Sequence, residues 1–145
     1  IIFTYRKFSK FIDFNYNFAT KILKEKKIDL YNNGQHKRDF TYIDDVTNSI
    51  YLILTKNPKK NKSNYRIYNI ANSNSNPLLK LVSELKKNLQ KKVKINYKKK
   101  QLGDVKNTFG NSQKLFADYG FKPNTTLQYG IKKFIEWLKD YHKVN

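Results

Sequence analysis

The chain has 145 residues and a formal net charge of +19, with a pI near 10.0. Hydrophobic residues make up 39% and aromatics 15%, enough for one modest core, so a disordered chain is excluded. Cysteine is absent, which excludes disulfides and thiolate-bound metal, and no apolar run is long enough for a membrane helix.

A cytoplasmic protein is the expectation. No methionine occurs, and the chain opens on Ile1-Ile2-Phe3-Thr4, which reads as strand; a preceding segment is therefore expected. Ile1 to Tyr5 reads as a buried strand, followed by a basic irregular stretch to Phe14. Asn17 to Lys26 has helical spacing, with Phe18, Ile22 and Leu23 on one face. Ile28 to Tyr31 is a strand, and Asn32-Asn33-Gly34 a turn whose residues tolerate positive φ. Asp44 suits the N-cap of a helix running to about Lys56, with Val46, Ile50, Ile53 and Leu54 as its buried stripe.

A lysine-rich loop spans Asn57 to Asn64, and Tyr65 to Ile70 alternates like a strand. Asn72 to Asn76 is turn chemistry, and Pro77 suits a first helical turn. Leu78, Leu81, Val82, Leu85 and Leu89 then form an amphipathic stripe. Val93 to Tyr97 is a further strand, and Leu102 to Gly110 is extended or looped. Ser112 caps a short helix to Tyr119, stopped by Gly120. Thr125 with Gln128 forms a capping box for a last helix lined by Leu127, Ile131, Phe134, Ile135 and Leu138. Strands alternating with about five helices give an α/β class in a single region, 1–145.

The positive charge has two readings. Clustered Lys would gain from counterion release on nucleic acid. Lys, Asn, Ile, Tyr and Phe are enriched together, however, as in A/T-rich codons, and arginine, the residue that reads bases, is scarce. The compositional reading is preferred, and no nucleic acid is expected.

Unaided catalysis finds no support. His36 and His142 lie in a turn and at the C-terminus, and both are expected to be solvated. The five glycines are scattered, none in phosphate-loop spacing, and no metal-ligand cluster is visible. What remains is anion binding. Arg38 can hold a phosphate bidentately, or can pair with Asp39 or Asp44; on these residues alone the local ion pair is favoured. Asp104 is an isolated acid that can accept from a sugar hydroxyl or from Arg38, or cap its own turn.

Several stretches taken together resemble the extended short-chain dehydrogenases of the NAD-dependent epimerase/dehydratase family, in particular the UDP-glucuronate 4-epimerase group. They are Ile28 to Gly34, Arg38-Asp39-Phe40-Thr41-Tyr42-Ile43-Asp44-Asp45-Val46, Tyr68 to Asn72, Gln101 to Val105, and Gly120 to Leu127. The resemblance implies that the chain is the C-terminal substrate-binding portion of a Rossmann-like enzyme. The NAD-binding part and the catalytic Tyr-x-x-x-Lys pair would then lie upstream, so no catalytic or cofactor-binding residue falls in this chain.

It further implies a UDP-sugar ligand and NAD as the family's cofactor. Arg38 would hold the pyrophosphate, Asp104 the ribose, and Asp29, Leu30 and Tyr31 the uracil. Thr4 would sit at the sugar end. Gln101 takes the place of a second phosphate-binding arginine. The family's VYGPxGRPDM loop is replaced here by Tyr5 to Asp13, without its glycines and prolines. The expected role is UDP-sugar binding within a 4-epimerase of a UDP-hexuronate, a homodimer in its parent form. The chain alone is expected to be inactive, with a separate or missing Rossmann half as its partner. A degenerate remnant or partner module is the alternative, and a basic nucleic-acid-binding protein a further one.

Overall fold

The computed structural model describes residues 14–59 and 65–143. Elements follow in the order α1 (Phe14–Leu23), β1 (Ile28–Tyr31), β2 (Lys37–Asp39), α2 (Ile43–Thr55), β3 (Ser75–Pro77), α3 (Leu78–Leu89), β4 (Ile95–Lys98), α4 (Gln113–Tyr119) and α5 (Leu127–His142). The expected strand at Ile1 to Tyr5, the altered loop at Tyr5 to Asp13, and Thr4 lie outside the described residues.

One core sits where three helices meet a small parallel sheet. β1 pairs with β4 in parallel, with Asp29 opposite Asn96 and Tyr31 opposite Lys98. Against this sheet pack Phe18, Ala19 and Ile22 of α1, the leucine stripe of α3, and Leu127, Ile131, Phe134, Ile135 and Leu138 of α5. The stripes on α3 and α5 fall where 3.6-residue spacing places them, so burial of those faces orients the helices. Between β1 and β2, Asn32, Asn33 and Gly34 all take positive φ, the turn their residue types anticipate.

Several expectations need correction. α1 begins earlier than Asn17 and ends at Leu23. β2 and β3 form an antiparallel pair, Arg38 opposite Asn76, where a turn was expected at Asn72 to Asn76 and no strand was expected at Lys37 to Asp39. Tyr65 to Ile70 is not a strand, and Tyr65 and Ile67 are exposed. The alternation is present, but no neighbouring strand pairs with it among the described residues. Pro77 is the N-cap of α3 and not in its first turn.

α2 departs furthest. Its N-cap is Tyr42, which makes no side-chain cap; Asp44 lies inside the first turn and is exposed. The buried face is Asp45, Val46 and Ser49, whereas Ile50 and Leu54 face outward. Asp45 accepts from the backbone N–H groups of Asn124 and Thr125 at 3.2 and 3.0 Å. Pinned by this carboxylate, the segment before α5 docks on the start of α2.

A second polar seam ties the middle of the chain together. Ser112 does not cap α4 with its hydroxyl, which instead donates to the Ala71 carbonyl and accepts from the Ala71 N–H. Asn72 donates through Nδ2 to the carbonyls of Phe40 and Thr125. Tyr68 donates to Asp118 at 2.7 Å; burial, with that bond, pushes the phenol well above its ordinary range. α4 does end at Gly120, in the left-handed conformation that its residue type permits. For α5 the cap is Thr126, whose hydroxyl accepts from the Tyr129 N–H, so the Thr125–Gln128 capping box does not form.

Candidate functional site

Lys37–Asp39 is the element around which the site is built. The segment carrying Asp104 runs alongside it: Lys37 N–H donates to the Lys106 carbonyl at 3.0 Å, and Thr108 N–H donates to the Lys37 carbonyl at 3.1 Å. This brings residues 66 positions apart into contact. Arg38 Nη2 donates to Asp104 Oδ1 at 3.2 Å, and Nη1 donates to the carbonyls of Lys37 and Lys106.

Arg38 is therefore not a surface charge paired with Asp39 or Asp44. It is buried, and burial pulls its pKa below the usual guanidinium value while the Asp104 carboxylate opposes that shift. An arginine stays charged under such conditions, so the site holds a fixed cation beside a half-exposed carboxylate. Asp39 has a different task. Its carboxylate accepts from the N–H groups of Gly110 and Asn74, closing the same segment from its far end. Gly110 approaches so closely that a Cβ would stand 2.3 Å from Ala71 Cβ. A cavity of about 250 Å³ lies here, lined by Asp39, Ala71, Val105, Asn107, Thr108, Phe109 and Gly110.

β1 supplies a second group of expected residues. Asp29 accepts from Asn96 Nδ2 at 2.7 Å, and Lys98 lies 3.3 Å away. The Asn96 bond first, then Lys98, holds its carboxyl below the ordinary value. Lys98 also stands over the Tyr31 ring, 5.7 Å from its centroid. The side chain of Leu30 is fully in the core, so only its backbone is available to a ligand. Gln101 is exposed, and its carbonyl accepts from the Asp104 N–H, closing the turn that presents Asp104. The structure thus joins Arg38 to Asp104 and Asp29 to Tyr31 through Lys98.

One residue at the site escaped sequence reasoning. His36, expected in solvent, is buried, with Nε2 3.2 Å from Asp104 Oδ2. Its place directly before β2 was hidden because a three-residue strand leaves almost no periodicity to detect.

Among the described residues, the glycines do not come together as an NAD cradle. Gly34 packs against Leu79 and Leu30, Gly110 against Ala71, and Gly103 and Gly120 stand singly in open space. A Tyr-x-x-x-Lys spacing does occur, Tyr129 to Lys133 on α5. Lys133, however, lies over the ring at 6.0 Å and is paired with Glu136 at 2.8 Å. Among the described residues, no group of His, Asp and Glu could hold a metal ion, and no helix is long and apolar enough to cross a membrane.

The α/β arrangement of the described residues, with its five helices, matches the C-terminal portion of the extended short-chain dehydrogenases, the class that this fold defines. Residues 6–134 match the family model described as GDP-mannose 4,6 dehydratase, and the chain belongs to that family of NAD-dependent epimerases and dehydratases. It is 36% identical over 141 residues to Protein CapI of Staphylococcus aureus, covering 88% of this chain and 42% of CapI. It is also 36% identical to UDP-glucuronate 4-epimerase 2 of Arabidopsis thaliana, covering 90% of this chain and 33% of that protein.

Among solved structures it is similar to the UDP-glucuronic acid 4-epimerase of Bacillus cereus in complex with UDP-glucuronic acid and NAD. The TM-score is 0.77 at 25% identity, over 88% of this chain and 40% of that one. The chain spans less than half the length of the relatives it matches.

Proposed function

We propose that this chain is the UDP-sugar-binding portion of an NAD-dependent sugar epimerase whose whole-protein reaction is 4-epimerisation of a UDP-hexuronate. The observation that carries the reading is the buried Arg38 held against Asp104 at 3.2 Å. An anion site needs a cation that stays charged, cannot swing away, and keeps donors for its ligand. Two backbone carbonyls and one carboxylate fix the guanidinium plane. A guanidinium has five N–H donors, and these three bonds leave others to meet pyrophosphate oxygens. Asp104, half-exposed, faces the adjoining ribose hydroxyls. Asp29 and Tyr31, with the Leu30 backbone, line the uracil slot on β1, and Gln101 lies beside the phosphates. Thr4 is assigned to the sugar end.

The redox chemistry is assigned to an NAD-binding half outside these 145 residues, and no step of it to this chain. The relatives support this division, since each is more than twice the length matched. The substrate assignment is supported by the glucuronate epimerases among them. A partner module, working beside a separately supplied NAD-binding half, is favoured over a solitary remnant by the apolar face that α2 leaves exposed.

Calorimetric titration of the chain with UDP-glucuronate tests the reading. Binding is expected, weakened on the order of tenfold or more in Arg38→Ala, because a hydrogen bond to a charged group contributes about 1.5–3 kcal/mol. Without turnover, the chain is expected to leave UDP-glucuronate unchanged. Failure to bind any UDP-sugar, together with salt-sensitive binding of DNA, would overturn the reading in favour of nucleic acid.

A further inference from the structure

The Asp104 carboxylate stands between two buried nitrogen groups. Arg38 Nη2 donates to Oδ1, and His36 Nε2 lies 3.2 Å from Oδ2. His36 is only 2% exposed, and its Nε2 makes no aligned hydrogen bond. A buried ring nitrogen this close to a carboxylate forms an ion pair with it only when the ring is protonated. The His36 main chain is held in place. The His36 carbonyl accepts from the Leu78 N–H at 2.8 Å, tying the residue to the first turn of α3.

We propose that His36 is a positioning residue that acts through Asp104: the neutral ring leaves Oδ2 open to a ligand hydroxyl, and the imidazolium captures that oxygen. This rests on the nucleotide-sugar reading of Asp104. The charged groups that face the ring are Asp104, which favours its protonation, and Arg38 and Lys100, which oppose it. Burial is the largest influence and also opposes protonation, so the ring titrates below its ordinary value of 6.5. At neutral pH Asp104 therefore has one oxygen on Arg38 and one available. In acid both oxygens are held by buried cations, and a ribose hydroxyl loses its acceptor. Ligand binding then excludes one proton.

The ligand-free half is tested by following the His36 ring resonances with pH, His142 being distinguished by substitution. His36 is expected to titrate below 6.5, and Asp104→Asn to lower that value further by removing the charge that favours the imidazolium. A titration unchanged by Asp104→Asn would overturn the inference while leaving the nucleotide-sugar reading intact.

The ligand half uses UDP-glucose, none of whose groups titrates between pH 5 and 8. Affinity is expected to fall as pH falls, with a limiting slope of about tenfold per pH unit, the signature of one linked proton. In His36→Gln, or in His36→Met should the glutamine variant not fold, the profile is expected to be flat. Affinity that rises in acid would overturn the inference, because the imidazolium would then be adding to the phosphate site. UDP-glucose that binds at no pH would overturn the nucleotide-sugar reading and the ligand half of this inference together.

Discussion

Asp44 and Asp45 stand side by side, yet only Asp45 is buried, where it accepts from two backbone N–H groups of the segment before α5. Asp45→Ala strands both donors and is expected to cost about 2–3 kcal/mol, read as a fall in Tm, because charge-assisted bonds are the strong ones and orphaned buried groups are penalised. Asp44→Ala, at an exposed position, is expected to stay within about 0.5 kcal/mol. Equal losses would show that the carboxylate does not pin the loop. The sequence marks an acid at this helix start but not which of the two turns inward, because that depends on a helix phase set by packing. Gly110 was equally silent. Its reason is contact and not turn geometry, since an added Cβ would meet Ala71 Cβ at 2.3 Å. Gly110→Ala is expected to cost on the order of 1–3 kcal/mol by overpacking. Adding Ala71→Gly should recover part of that loss, a coupling that a double-mutant cycle reads directly. His36 adds a pH term. Its folded pKa is depressed, so its contribution to stability is present above about 6.5 and is lost as pH falls through the lower folded value. His36→Met should flatten Tm against pH in that window, and an unaltered acid slope would assign the loss to other groups.

Among the elements, the long amphipathic ones were legible and the short ones were not. α3 and α5 bury the stripes that their spacing announces, because five apolar positions at helical period leave one way to face a core. β2 and β3 are three residues each, and their pairing is decided by partners far along the chain. The start of α5 shows how a local signature can fail. Thr125 with Gln128 has capping-box spacing, but the cap falls one residue later, on Thr126. Thr125 is committed through its backbone: its N–H donates to Asp45 and its carbonyl accepts from Asn72. Thr126→Ala is therefore expected to cost about 1 kcal/mol, the usual loss for an N-cap. Thr125→Ala, which leaves both backbone bonds in place, should cost less. Denaturant midpoints of the two variants decide between caps, and the reverse order would restore the capping box.

At the scale of the molecule, the expectations that failed on α2 and on Tyr65 to Ile70 fail in the same direction. Both segments have the apolar pattern of buried elements, and both show that pattern to solvent: Tyr51 is 65% exposed, Leu54 79% and Tyr65 76%. An amphipathic helix face is written for a neighbour, and Ile50, Tyr51 and Leu54, exposed together on α2, mark a candidate interaction surface. The NAD-binding half proposed above is the neighbour that the exposed face of α2 would serve. Leu54→Lys separates this from a merely tolerated surface. A side chain so exposed contributes little to the fold, so Tm of the 145-residue chain is expected to change by no more than about 0.5 kcal/mol equivalent. Mixed with the part of the NAD-bound Bacillus cereus epimerase that this chain does not match, the unaltered chain is expected to co-sediment and the Leu54→Lys chain to remain separate, since burying an unpaired ammonium in an apolar contact is costly. Association of both chains to the same extent would place the interface elsewhere. Loss of Tm in Leu54→Lys would instead make this face part of the chain's own core, and the reading of α2 as a docking helix would fall with it.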